Sequence, residues 1–244
     1  MFISVSELSR FWNIKPKGVL HVGAHLAEEA ADYEKYGWLP VTWVEAQPNL
    51  VEVLEVNLHF SHHKVIEAAI WDENGVNLKL HIASSSQSTS LLDFGTHAEL
   101  YPDISYVSDV DVVTKRLDSV IDSNHMPNFI NLDIQGVELR ALKSLGKLIE
   151  LVDYIYVEVN KKMVYRGGTN VKELDDFLFT SGFARKCTRW YLREGWGDAL
   201  YIRLTAVKDK NLSQMIQSFL IHATFYCRQF LSIGKSICYP VNNS

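Results

Sequence analysis

Four short stretches of this chain combine residue types that bind or transform polar ligands. In GVLHVGAH, residues 18–25, an apolar run ends at Gly23 and a helical pattern follows. A strand that turns into a helix at a glycine lets backbone N–H groups approach an anionic or polar ligand closely. Only one glycine of the dinucleotide fingerprint is present, with Ala24 and Ala27 at later positions, so this stretch alone also fits a plain strand-to-helix turn. Glu45 adds weight to the ligand. It ends the second apolar run, 22 residues after Gly23. That is close to the spacing of about 20 at which an acidic side chain accepts hydrogen bonds from ribose hydroxyls in nucleotide-binding α/β units.

The third stretch, NFINLDIQGVE (residues 128–138), puts Asp133 at the end of another apolar run, where open α/β sheets bind their ligands. Its neighbours Ile130, Leu132 and Ile134 make an idle, solvated carboxylate uncomfortable there. In the fourth, YIYVEVN (residues 154–160), Glu158 and Asn160 are two apart on a strand and share one face. Asp133, Glu158 and Asn160 therefore converge on one cleft. Such an oxygen-rich set suits a hard cation or, equally, sugar hydroxyls; nothing in the sequence demands a metal, and none is expected.

Histidines divide by context. His97 lies in the serine-rich stretch SSSQSTSLLDFGTH, where an imidazole can serve as a general base near neutral pH. His25 faces the ligand pocket, and His21, in mid-strand, is a core residue. His62, His63 and His222 read as surface or helix-face residues. Arg166 adds a cation to the cleft, and Tyr101, Tyr106, Tyr165, Trp190 and Trp196 lie in or beside loops, where aromatic faces stack on sugar rings.

These residues need a scaffold, and the hydrophobic periodicity supplies one. Apolar runs at 19–22, 41–44 and 65–70 read as strands, separated by helices at 27–36, stopped by Gly37, and 49–60, opened by Pro48. Asp72-Glu73-Asn74-Gly75 followed by alternating Val76, Leu78, Leu80 and Ile82 suggests a hairpin with the run before it. A long ordered loop follows, of the kind that is usually functional. Beyond it the alternation resumes with strands at 110–113, 129–132 and 154–159 and helices at 117–121, 137–148 and 171–180. Two strands, 183–187 and 199–204, then come together without a helix. The pattern predicts an α/β fold with a parallel sheet and an antiparallel terminal edge.

With 244 residues, 47% hydrophobic and 22% charged, the chain has enough material for one large α/β domain and an accessory piece. A formal net charge of −5 opposes nucleic-acid binding, which needs a basic footprint. Cys187, Cys227 and Cys238 form no CxxC pair, so a reducing cytoplasm is expected. Glu7 and Arg10 interrupt the N-terminal apolar stretch, which lacks a signal-peptide pattern, and no run is long enough to span a bilayer. The domain is expected over 1–205, with an amphipathic helical extension over 206–244. There, Leu212, Met215, Ile216, Phe219, Leu220, Ala223, Cys227, Phe230 and Leu231 form one stripe. Packing on the parent domain or homodimerisation is the favoured use of that stripe. Membrane-surface docking is disfavoured, because Lys208, Lys210, Arg228 and Lys235 are few charges for anionic lipid.

Taken in order, GVLHVGAH, WVEAQP, SSSQSTSLLDFGTH, NLDIQGVELRALKSLG and WGDALYIR resemble the FkbM family of S-adenosylmethionine-dependent methyltransferases over roughly residues 15–205. The resemblance implies a Rossmann-like class I methyltransferase fold: a mostly parallel seven-stranded sheet with helices on both faces, here followed by a C-terminal helix. It implies S-adenosylmethionine as cofactor and methyl transfer to oxygen, often on a sugar or polyketide hydroxyl. On that basis Gly23, Ala24, His25, Glu45 and Ala46 contact the cofactor, Ala69 and Trp71 flank its adenine, and Asp133 faces its methionyl side. Asp133, His97 and Glu158 are the expected catalytic residues; Asn160, Arg166 and Trp196 are expected to bind a carbohydrate or glycan acceptor. The sequence departs from the pattern at His21, where class I enzymes often carry Asp, and at Ala27, which replaces a common glycine. Two rival functions are a nicotinamide-dependent sugar oxidoreductase, which Gly23 and Glu45 alone also fit, and a binding module that has lost catalysis.

Overall fold

The computed structural model describes residues 1–58, 61–191 and 195–207, so the apolar stripe expected over 212–231 lies outside the described residues. The chain opens with α1 (Val5–Phe11), a helix started by a reciprocal capping pair, Ser4 with Glu7. Next come β1 (Val19–Val22), α2 (Ala30–Tyr36), β2 (Val41–Glu45) and α3 (Pro48–Asn57). Helix α2 starts three residues later than its apolar pattern, because His25 and Ala27 sit at φ +47° and +57°, a left-handed conformation that no helix accommodates. Gly37 at φ +70° ends it, as the sequence predicts.

The chain then runs through β3 (His63–Glu67), β4 (Ala69–Ile70), β5 (Asn77–Ala83), α4 (His97–Leu100), β6 (Tyr106–Lys115) and α5 (Leu117–Val120). It continues through β7 (Phe129–Leu132), α6 (Glu138–Ser144), β8 (Tyr154–Asn160), α7 (Val171–Thr180), β9 (Phe183–Trp190) and β10 (Trp196–Arg203). Seven strands form one sheet in the order β3-β2-β1-β7-β8-β10-β9, in which β10 alone runs antiparallel to its neighbours. This is the mostly parallel, Rossmann-like sheet of class I methyltransferases, and its strands β1, β7 and β8 are buried almost throughout, as parallel strands covered on both faces must be.

One expectation is corrected. The hairpin across residues 72–75 does not form: β5 pairs antiparallel with the ten-residue β6, and β4 pairs parallel with the same strand, making a separate three-stranded sheet. The turn is real, but Asn74 and Glu73 accept hydrogen bonds from Arg116 N and Thr114 Oγ1, beyond β6 and at its end. Meanwhile Ala68 N donates to Glu45 O and keeps β3 with the main sheet. The terminal pair forms the antiparallel edge that the sequence predicts, with β10 inserted between β8 and β9. Burial explains the choice: β10 carries Ala199, Leu200, Tyr201 and Ile202 inside, whereas β9 is half-exposed along most of its length.

Among the described residues no helix is long and apolar enough to cross a membrane.

Candidate active site

The carboxyl ends of β1, β2, β7 and β8 meet at one edge of the sheet. Their junction is tight. Gly23, at φ +88°, and Ala24 both donate backbone N–H groups to Val44 O, and Asp133 N donates to Val22 O. A Cβ on Gly23 would lie 1.9 Å from Asp133 O, so the two loops approach closely only because residue 23 is glycine. Gly23→Ala should cost about 2–5 kcal/mol of stability, from left-handed strain and overpacking; a denaturant midpoint matching that of the parent chain would refute this.

Glu45 ends β2 with its side chain almost fully buried. Its Oε1 accepts from Ala46 N and Gln47 N, and its Oε2 accepts from His25 N at 2.8 Å. Burial pushes this carboxyl above the usual carboxylate range, against the pull of the three N–H donors. Each carboxylate oxygen has two lone pairs, which leaves acceptor capacity beyond these bonds. An adjoining slot is walled by Val44, Ala68, Ile70, Leu80, Leu91 and Ile134. A buried anionic acceptor beside an apolar slot has the chemistry to hold a ribose diol and a purine ring, so the residues present fit the adenosyl part of S-adenosylmethionine. Ala69 and Trp71, expected to flank the adenine, do not line this slot. Ala68 and Ile70 face the slot, so Ala69 between them faces away, and Trp71 instead lies under the guanidinium of Arg140, 4.2 Å from its ring centre.

A second cavity of 430 Å³ adjoins the slot. Gly23, His25, Gln87, Asp133 and Gln135 line both spaces and form the boundary between them. Here His25, strained at φ +47°, is bonded to Glu28 Oε1 through Nδ1 (2.6 Å) and to Ser86 Oγ through Nε2 (2.7 Å). It thereby ties the serine-rich segment to the first loop. Ala46 lines the slot, whereas Ala24 lines the larger cavity.

Asp133 leads a tight turn stabilised by Glu138, whose Oε1 accepts from Ile134 N and Gly136 N. Surrounding protein, and then the negative charge of Asp198, raise the Asp133 carboxyl above the usual range. Glu158 is raised further, first by burial and then by Asp133 and Glu138. Both carboxylates and His97 line the larger cavity, as do Trp196 and Tyr101. The His97 ring stacks on Phe94 at 4.1 Å and meets Ser88 Oγ through Nε2, and burial lowers its proton affinity.

Other residues expected at the site lie outside both spaces. Asn160 lines neither space: β10 covers it in register with Trp196, and its Nδ2 donates to Glu158 Oε1. Arg166 also lines neither, being exposed just before the turn at Gly167 (φ +73°). Tyr165 is buried, and Tyr106 and Trp190 are strand residues away from the cavity. His21 is the core residue expected, stacked on Trp43 and pushed down to about 4 by burial. His63, read as a surface residue, has a fully covered side chain.

Sequence reasoning missed Gln135, Asp198 and Tyr156. Asp198 Oδ2 accepts from Phe2 N and from the Tyr156 hydroxyl at the cavity floor. Only Gln135 carried a signal, its place beside Gly136 in a turn.

Among the described residues one trio, Glu34, His62 and His63, has metal-ligating atoms within 4.8 Å of one another. The geometry opposes ligation. Trp43 Nε1 donates to His63 Nδ1, so the neutral ring carries its hydrogen on Nε2, the atom that faces Glu34. A ligating histidine needs the opposite arrangement, with the remote N–H given to an acceptor.

No curated protein sequence matches the chain. The solved structures similar to it include three methyltransferases of different kinds. Magnesium protoporphyrin IX methyltransferase from Synechocystis, with S-adenosylmethionine bound, is 11% identical with a TM-score of 0.41; the match covers 76% of this chain and 69% of that one. Ribosomal protein L11 methylase from Lactobacillus delbrueckii is 12% identical with a TM-score of 0.42, over 81% and 78% of the two chains. The 1,6-didemethyltoxoflavin-N1-methyltransferase from Burkholderia thailandensis, with S-adenosylhomocysteine, is 11% identical with a TM-score of 0.45, over 81% and 75%. The family model described as the methyltransferase FkbM domain matches residues 21–188, more than half of the chain, including the carboxyl ends of β1, β2, β7 and β8. The chain belongs to the FkbM family of S-adenosylmethionine-dependent methyltransferases.

Proposed function

We propose that this enzyme methylates a hydroxyl of a sugar or glycan, and that Asp133 takes the proton of that hydroxyl. The observation that carries the proposal is the position of Asp133 on the boundary between the adenosyl slot and a 430 Å³ cavity rich in hydrogen-bonding groups. An alcohol is a poor acid, so the site must align it in line with the methyl group and remove its proton. Bound in the slot, S-adenosylmethionine supplies an activated methyl group on a cationic sulfonium. A positive charge held near Asp133 would favour its ionised form. Without that charge, burial and Asp198 return the carboxylate to a raised proton affinity. With S-adenosylmethionine bound, Asp133 would be ionised as the alcohol is aligned and would become more basic as the sulfonium charge is lost. Glu158, held between Asn160 and Gln135, offers a polar surface to the acceptor, and Trp196, stacked on Phe2 and Tyr191 and bonded by its Nε1 to Tyr101 OH at 2.9 Å, lines the same cavity.

The test is methyl transfer from labelled S-adenosylmethionine to a panel of deoxyhexosides, with proteins and nucleic acids as competing acceptors. Label is expected on a sugar oxygen. Methylation of protein or nucleic acid alone would rule the acceptor class out.

A further inference from the structure

We propose that Gln135 is a positioning residue for methyl transfer: its amide orients the Asp133 carboxylate toward the acceptor and ties it to Glu158. The proposal rests on Asp133 being the proton acceptor.

Gln135 is held where few side chains would settle. Its φ is +54°, a left-handed conformation that costs a residue other than glycine about 1–3 kcal/mol and persists only when the surroundings impose it. The surroundings do so. Glu138 fixes the backbone on either side, Ser90 Oγ donates to Gln135 O at 2.7 Å, and Tyr165 packs so closely on Gly136 that a Cβ there would lie 3.0 Å from Tyr165 Cβ. Three separate parts of the chain thus hold one glutamine at the boundary of the two cavities.

The direction of its amide follows from chemistry. Tyr165 OH donates to Oε1 at 2.6 Å, and Nε2 donates to Asp133 Oδ1 at 2.5 Å and to Glu158 Oε2 at 3.1 Å. A primary amide has two N–H donors, and two ionisable oxygens meet them. The flipped amide would set its oxygen against both carboxylates and its NH2 against the phenol. The donated bond occupies one lone pair of Asp133 Oδ1, whereas Oδ2 keeps both of its own for the acceptor hydroxyl. It also favours the ionised form, in an environment otherwise dominated by negative groups. Those facing Asp133 are Asp198 on β10, Glu29 at the start of α2, Glu158 on β8 and Glu138 on α6; the N-terminal amine, paired to Glu29 at 3.1 Å, is the nearby cation.

Gln135→Met keeps the length of the side chain and removes both donors. Its single-turnover rate at saturating S-adenosylmethionine, measured from pH 5 to 9, should fall about tenfold or more at the acid end. The loss should shrink as pH rises, because the acid limb of the profile moves upward. Tyr165→Phe should move the limb the same way by less, and the double variant should be no worse than Gln135→Met alone. A loss uniform across pH, or an unmoved limb, would overturn the inference while leaving the base assignment in place. Full turnover by Asp133→Asn would overturn the base assignment, and this inference with it.

Discussion

Asp133→Asn is expected to slow methyl transfer by about 10² to 10⁴, the range a positioned base typically contributes. Asparagine keeps the shape and still offers Oδ1 to Gln135 Nε2, which now bonds Asp133 there at 2.5 Å, so the turn around it should persist. The pH profile gives a second readout. Burial and Asp198 raise the carboxyl above its ordinary range, so the parent enzyme should lose activity as pH falls through that raised value, and the variant should lack this limb. His97→Ala, made in parallel, separates the two candidate bases. His97 lines only the larger cavity and stacks on Phe94, so its loss should act mainly through packing, as a drop in stability. Undiminished turnover in Asp133→Asn would sink the assignment.

Glu45→Ala is expected to weaken S-adenosylhomocysteine binding at least tenfold by calorimetric titration. Two ribose hydroxyls donating to a charged acceptor contribute roughly 1.5–3 kcal/mol each. The variant also strips three backbone N–H groups, of His25, Ala46 and Gln47, of their acceptor, which should loosen the loops on both sides of the slot. Glu45→Gln keeps one oxygen but turns an NH2 toward backbone donors, and should fall between parent and alanine. Thermal unfolding of each variant separates a binding loss from a folding loss. An alanine variant that is folded and binds with parental affinity would show that the ribose sits elsewhere.

Much of this site was legible in the linear chain, because its main parts depend on local rules. An apolar run ending in glycine is a strand turning into a helix, and an acidic residue ending the next run stands at the matching edge of a parallel sheet. Gly23, Glu45 and Asp133 could be placed from those two facts, and strand alternation put Glu158 on the cavity face. The family motifs then supplied the cofactor.

What the tertiary structure alone decided concerns partners far apart in sequence. Residues 76–82 alternate as a hairpin arm would, yet their partner is β6; strand pairing is settled by which edge is free and which face needs covering, neither of which periodicity records. The same holds for β10, whose greater burial takes it inside β9. A one-residue difference in strand phase moved the slot wall from Ala69 to Ala68 and Ile70. Covering by a neighbouring strand turned Asn160 from an acceptor ligand into a support for Glu158. Gln135 is the clearest case. In sequence it is a polar residue before a glycine; only the folded chain brings Tyr165, Ser90, Asp133 and Glu158 around it. Local propensity sets where strands end and turns begin, but the direction of a side-chain amide is set by the donors and acceptors that non-local packing delivers to it.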